Sequence, residues 1–356
     1  MRRRDILTAA AAASTLAGCV PAAGRIVAPP PKRDHQPGVV TPPPGFATLV
    51  ALDVTGSRPD RPLAALAARI EAATPATVTL GVGASLFDDR FPLSRVRPRA
   101  LATMPAFPSD VLDPARCHGD LLLQVGAASA EEARVTADDL VRAADGGVRT
   151  RWRMDGYRTE NTVTAAGLPT TRNLFGFREG AGNPDPRDGA LMDRLVWADE
   201  GEPAWAAGGT YQVVRLIRFA VPLWNRDPVT RQEEMIGRHR ADGAPLAGGP
   251  EDARFTYADD PDGRVTPLDA HIRRANPRTA DSERHRILRR GYSYGAGSDQ
   301  GLIFICFQRD IEAGFATVQR RLDGEALERY VLPFGGGYYF VPPSLDGLRS
   351  ILTTSA

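Results

Sequence analysis

The chain of 356 residues holds only three cysteines, Cys19, Cys117 and Cys306. That is too few for a disulfide scaffold or a cysteine-rich metal site. Histidine is nearly as scarce, with five in all, so any chemistry that needs an imidazole has few candidates. Neither CxxC, HExxH nor a P-loop occurs, which removes the usual signatures of thiol redox, zinc-protease and nucleotide chemistry. Net charge is also missing: 44 basic side chains face 43 acidic ones. A chain this balanced has no global electrostatic reason to bind nucleic acid. The apolar stretch near the start falls well short of the roughly 20 residues that span a bilayer.

That first stretch has another use. Arg2-Arg3-Arg4-Asp5-Ile6-Leu7, a run of alanines and the small residues up to Ala17-Gly18 describe an export leader over residues 1–18, and Arg3-Arg4 is the twin-arginine form that exports folded protein. Leu16-Ala17-Gly18-Cys19 is similar to a lipobox. Acylation of Cys19 would hold residues 19–356 at the extracytoplasmic face of a membrane, or release them to the periplasm if it fails, each buried methylene adding roughly 0.8 kcal/mol. Loss of the leader moves the balance from +1 to about −1. Pro29-Pro30-Pro31 and Pro42-Pro43-Pro44 mark residues 19–45 as a Pro-rich tether.

The remainder is 42% hydrophobic overall and long enough for two domains. Phe46 to Val54, Val78 to Leu86, Leu121 to Val125 and Val148 to Met154 are strand candidates. Leu63, Leu66, Ala67 and Ile70 share a helix face, and Glu131 to Ala144 is helical with Val135, Leu140 and Val141 as its apolar side. The order strand-helix-strand-strand-helix-strand predicts a ferredoxin-like α+β unit, an antiparallel sheet with helices on one face, over residues 46–200. Residues 201–356 repeat the pattern: a strand over Thr210 to Ala220, a helix over Val229 to His239, a strand over Gly301 to Phe307, a helix through Phe315, Val318, Leu322, Leu327 and Tyr330, and a strand over Leu332 to Val341. Residues 240–290 are rich in Pro, Asp, Arg and Gly, and a loop of that length usually wraps a ligand or is disordered.

Three polar clusters stand out: Gly176 to Asp185, with Glu179 in a Gly-rich turn; His271-Ile272-Arg273-Arg274; and Ile287 to Gly295, with Arg289 and Arg290. One imidazole, one or two guanidiniums and one carboxylate are a minimal set for ligating haem and activating peroxide.

These clusters, with His35 to Pro42, Leu112 to Leu121 and Phe334 to Phe340, resemble the dye-decolourising (DyP-type) haem peroxidases almost end to end, and most closely their exported deferrochelatase/peroxidase branch linked to bacterial iron uptake. The resemblance implies two ferredoxin-like domains with one haem b in the second. It implies His271 as the axial iron ligand, with a carboxylate on its other ring nitrogen. Asp259, Asp260 and Asp269 are candidates for that carboxylate, and Asp260 is the choice. Arg289 and Glu179 become the distal pair, with Arg290 and Phe304 as further haem contacts. The family turn carries aspartate where this chain has Glu179, so the reach of the carboxylate is in question. His118 reads as a packed histidine, His239 and His285 as solvent-facing, and His35 as lying near the haem edge. Trp152, Trp197, Trp224 and Tyr338 are candidate electron routes.

The implied function is oxidation of a donor by hydrogen peroxide, one electron at a time, through a ferryl intermediate. Implied partners are hydrogen peroxide, an organic or iron-related electron donor, iron-uptake proteins and, as a homo-oligomer, further copies of the chain. Two alternatives use the same site: release of iron from haem with the porphyrin intact, and a haem-binding lipoprotein of low turnover.

Overall fold

The computed structural model describes residues 35–354, so the expected leader and Cys19 lie outside the described residues. The expected tether ends earlier than its composition suggests. From Gln36 onward the chain is part of the body: the Gln36 amide donates to Leu80 O and Pro342 O and accepts from Leu80 N, and Val39 is buried. Proline marks a loop; it does not say whether the loop is packed.

The first unit comprises β1 (Phe46–Val54), α1 (Asp60–Glu71), β2 (Thr77–Gly83), β3 (Leu121–Ala127), α2 (Ala130–Ala143) and β4 (Val148–Tyr157). Its antiparallel order is β4-β1-β3-β2, the ferredoxin-like arrangement. Ser129 caps α2 by accepting from Glu132 N. Ala133, Ala137 and Leu140 form its buried stripe, while Val135 is half exposed. Val135 was expected on the apolar side, but at about 100° per residue it stands across the helix from Ala133.

A small sheet of β5 (Thr159–Val163), β6 (Pro169–Arg172) and β7 (Arg178–Glu179) follows, then α3 (Gly189–Leu195). The second unit contains β8 (Thr210–Phe219), α4 (Val221–Trp224), α5 (Val229–Ile236), α6 (His271–Ala275), α7 (Ala280–Glu283), β9 (Leu288–Arg289), β10 (Tyr292–Ala296), β11 (Asp299–Gln308), α8 (Thr317–Leu322), β12 (Val331–Val341) and α9 (Leu345–Thr354). Its order β12-β8-β11-β10 repeats that of the first unit. The chain is two ferredoxin-like α+β domains. The sheets meet edge to edge twice, β2 with β12 and β4 with β10, so the edges that would otherwise template aggregation are paired. Leu49, Leu122, Val214, Ile303 and Tyr339 fill the space between them, each large side chain contributing about 1.5–3 kcal/mol of transfer free energy.

Two departures from expectation shape the site. Strand β10 was not anticipated; it continues the Arg289-Arg290-Gly291 segment along the edge of β11. The single helix expected through Phe315 and Tyr330 is instead a π-helical turn (Glu312–Ala316), α8, and a 3-10 turn (Ala326–Tyr330), separated at Asp323-Gly324, where Gly324 takes φ 72°. Among the described residues no helix is long and apolar enough to cross a membrane.

Candidate active site

A cavity of about 300 Å³ lies against the outer face of β8 and β11, roofed by α6 and α8. Phe175, Phe219, Leu302, Phe304 and Phe315 line it with apolar surface. Its volume and mixed lining are those of a small-molecule or cofactor site.

His271 opens α6 and faces this cavity, its side chain 29% exposed. Gly237, in the left-handed conformation that ends α5, lets α6 approach closely: a Cβ there would lie 2.6 Å from Ile272 Cγ1. His271 Nδ1 is 2.7 Å from Glu325 Oε2, and Glu325 is 8% exposed. A carboxylate can only accept, so Nδ1 carries the proton and Nε2 is left with its lone pair. Burial disfavours the imidazolium, but the Glu325 charge and hydrogen bond outweigh it, and His271 holds a proton more tightly than an ordinary histidine. The helix break at Gly324, between α8 and the 3-10 turn, is what delivers Glu325 to the ring.

Glu179 ends β7, opposite Thr171. Gly180 follows at φ 120°, where a Cβ would strike Pro169 O at 2.2 Å; only glycine serves there. Asn173 Nδ2 donates to Glu179 Oε1 at 2.7 Å. Arg289 is fixed on β9 by pairing with Cys306. Asn183 Oδ1 accepts from Arg289 N and Nε, and Asn183 Nδ2 donates to Arg289 O. This clamp leaves the terminal guanidinium nitrogens for the cavity. Burial lowers the proton affinity of Arg289, with Glu179 acting against it, yet an arginine stays cationic. Arg158 is a second cation whose charge bears on Glu179.

Asp260 is not the partner of His271. Its carboxylate accepts from Arg264 N, Val265 N and Thr266 N and pairs with Arg273. It caps its own loop instead, because three nearby amides compete more effectively than a ring farther along the chain. Asp259 and Asp269 are exposed. Arg290 borders the cavity but is buried, and gives Nε and Nη2 to Val39 O and Val40 O. Phe304 lies in the cavity wall.

Burial, and secondarily the Arg151 charge, lower the proton affinity of His118, and its carbonyl accepts from Trp152 and Tyr339. His239 pairs with Glu233. His285 borders the cavity, against its expectation as a solvent-facing residue, because Nδ1 is drawn to Ala313 O. His35 stacks on Trp197 at 3.7 Å and does not line the cavity. Of the aromatic candidates, Trp224 stacks on Phe175 and Tyr338 meets Phe315 edge-on; Trp152 and Trp197 lie in the inter-sheet core.

The sequence reading missed Glu325, Asn173, Asn183, Arg158 and a cationic wall of Arg238 and Arg278. Burial pulls Arg238 down to about 10, aided by the charges of Arg278 and Arg289. Arg278 has its Nε buried without a hydrogen-bond partner.

Two family models match in sequence order, the N-terminal region of Dyp-type peroxidases over residues 36–158 and the C-terminal region over 170–346. The chain belongs to the Dyp-type peroxidase family. A Shigella flexneri relative named deferrochelatase is 46% identical over 284 residues, covering 78% of this chain and 68% of its own. The solved DyP-type peroxidase from Cellulomonas bogoriensis superposes with a TM-score of 0.80 at 36% identity, over 90% of this chain and 97% of its own. Ferric DtpA from Streptomyces lividans gives 0.80 at 35%, over 89% and 95%. Membership makes the chain a peroxidase-type oxidoreductase. His271, Glu325, Glu179 and Arg289 all fall within the C-terminal peroxidase region.

Proposed function

We propose that this peroxidase holds one haem b in the cavity and uses it to oxidise a donor with hydrogen peroxide. The observation that carries this reading is the His271–Glu325 pair, which leaves Nε2 free to ligate iron in the cavity. The residues present fit the group. Phe304 and its neighbours offer a face for the macrocycle. Arg238 and Arg278 are crowded cations that line the cavity, and Arg278 has its Nε buried without a hydrogen-bond partner; they would take the propionates. Arg290 supports the wall by holding the Val39–Val40 segment. Haem, when bound, supplies the redox chemistry, accepting two oxidising equivalents from peroxide and passing them singly to a donor.

The protein's part is ligation, proton movement and charge. Glu325 keeps His271 oriented, with its proton on Nδ1, and strengthens it as a donor. Asn173 occupies Glu179 Oε1, so Oε2 is the oxygen available to take the proton from one peroxide oxygen and return it to the other. Arg289 stabilises the negative charge that develops on the departing oxygen. Purified protein mixed with one equivalent of peroxide should change its absorption spectrum and recover when an organic donor is oxidised. No spectral response would contradict the reading.

The 46% identical relative named deferrochelatase favours one second reading, iron release with the porphyrin intact. Metal-free protoporphyrin recovered after incubation with haem and a reductant would select it. A haem-binding lipoprotein of low turnover is the outcome if both assays fail while haem is retained. The leader and Cys19 support export and anchoring at the extracytoplasmic face. Neither the donor nor an iron-uptake partner is identified by chemistry at the site.

A further inference from the structure

Glu179 lies on a two-residue strand beside glycine turns, where a flexible carboxylate has several rotamers within reach. One side chain removes that freedom. Asn173 Oδ1 accepts from Phe175 N and Phe177 N, both at 3.0 Å, so the orientation of the amide is settled by two backbone donors. Its Nδ2 must then point away from the turn, and it points at Glu179 Oε1, 2.7 Å distant. The backbone repeats the closure: Asn173 N donates to Phe177 O, and Gly176 N to Asn173 O.

We infer that Asn173 is the positioning residue of the distal site: its amide, locked by the Phe175 and Phe177 backbone, holds one oxygen of Glu179 and presents the other to the substrate peroxide. This rests on the reading of Glu179 as the proton carrier and deepens it. A glutamate is one methylene longer than an aspartate, and misplacement by about an ångström can cost about 100-fold; the amide fixes where that extra length goes. The other charges that bear on Glu179 are Arg158 after β4, Arg289 on β9 and His271 on α6, and the substitution below leaves all three in place.

Asn173→Asp is the test. It retains the oxygen that holds Phe175 and Phe177 and replaces the donor facing Glu179 by a second acceptor. In the haem-loaded protein, stopped-flow reaction with peroxide should show the acid limb of the pH profile moved up by about one pH unit or more, hence about tenfold slower at a fixed acid pH. The ferric spectrum and the unfolding temperature should stay near wild type. A crystal structure at neutral pH should show the Glu179 carboxylate turned away from residue 173. Added to Glu179→Gln, the substitution should have no further effect.

A profile that overlays wild type while Glu179→Gln is slow would overturn the inference. So would a loss that persists in the Glu179→Gln background, which would assign Asn173 to the turn alone. Glu179→Gln behaving as wild type would instead overturn the proton-carrier reading, and the inference with it. If Asn173→Asp folds poorly, Asn173→Ser supplies the same test, since a hydroxyl can hold the turn but cannot reach Glu179.

Discussion

Replacing Glu325 with glutamine keeps the size of the side chain and removes its charge. The hydrogen bond to His271 Nδ1 is 2.7 Å long and partly buried. Hydrogen bonds to charged groups contribute about 1.5–3 kcal/mol and neutral ones about 0.5–1.5, so Glu325→Gln should weaken the hold on His271 by roughly 1–1.5 kcal/mol. That is about tenfold in haem affinity, the lower end of the range for partners of metal ligands. Haem-free protein adds a pH signature. The folded imidazole binds its proton more tightly than an ordinary one. The pair therefore stabilises the fold fully below about pH 6.5, and this contribution is lost as pH rises through the raised folded value. Glu325→Gln should lower the unfolding temperature more at about pH 5.5 than at about pH 9. Haem titration followed at the Soret band and thermal unfolding at the two pH values are the assays. Wild-type haem affinity together with a pH-independent difference in unfolding temperature would refute the role given to Glu325.

Arg289→Ala should slow the reaction with peroxide at every pH, because no protonation state replaces the missing cation, and Glu179→Gln should slow it by removing the carboxylate that takes the proton; stopped-flow kinetics of the two variants check both. Glu179→Asp shortens the reach past Asn173 and should lower the rate, and an unchanged or raised rate would mean that the turn is indifferent to the added methylene. The Thr266 amide holds the Asp260 carboxyl below the usual carboxylate range, so its stabilising effect is present above about pH 4 and is lost as pH falls through the depressed value. Asp260→Ala should accordingly lower the unfolding temperature at neutral pH, converge with wild type in acid, and leave the ferric spectrum unchanged; an altered spectrum would return Asp260 to the ligand's side. Cys19→Ala should move the protein from the membrane fraction to the soluble one, and persistence in a salt-washed membrane pellet would exclude lipidation there.

The first domain was legible in the sequence because its apolar residues follow strand and helix periods closely: β1, α1, β2, β3, α2 and β4 all lie within a few residues of where the patterns put them. His271, Glu179 and Arg289, singled out by residue type and motif, line one cavity. Glu325 was not legible in the sequence. It follows an Asp-Gly break inside an apolar pattern that otherwise suits one long helix, and it reaches His271 from 54 positions away in sequence. Asp260 was the more attractive candidate only because it is near in sequence, and sequence proximity says nothing about which groups a carboxylate can already satisfy locally. Asn173 and Asn183 escaped for a related reason. Each acts through side-chain bonds to backbone groups whose direction is set only once the turn has closed. Strand β10 is only five residues long and follows Arg289-Arg290-Gly291, and pairing along β11 supplies what its own pattern does not.

The central claim is that His271 Nε2 ligates haem iron in this cavity. Ferric absorption and electron paramagnetic resonance spectra of the haem-reconstituted wild type and His271→Ala proteins test it most directly. The account predicts a histidine-ligated spectrum in wild type, its loss in the variant together with most of the haem occupancy, and partial recovery when imidazole is added. Full haem occupancy with an unchanged ferric spectrum in His271→Ala would contradict it.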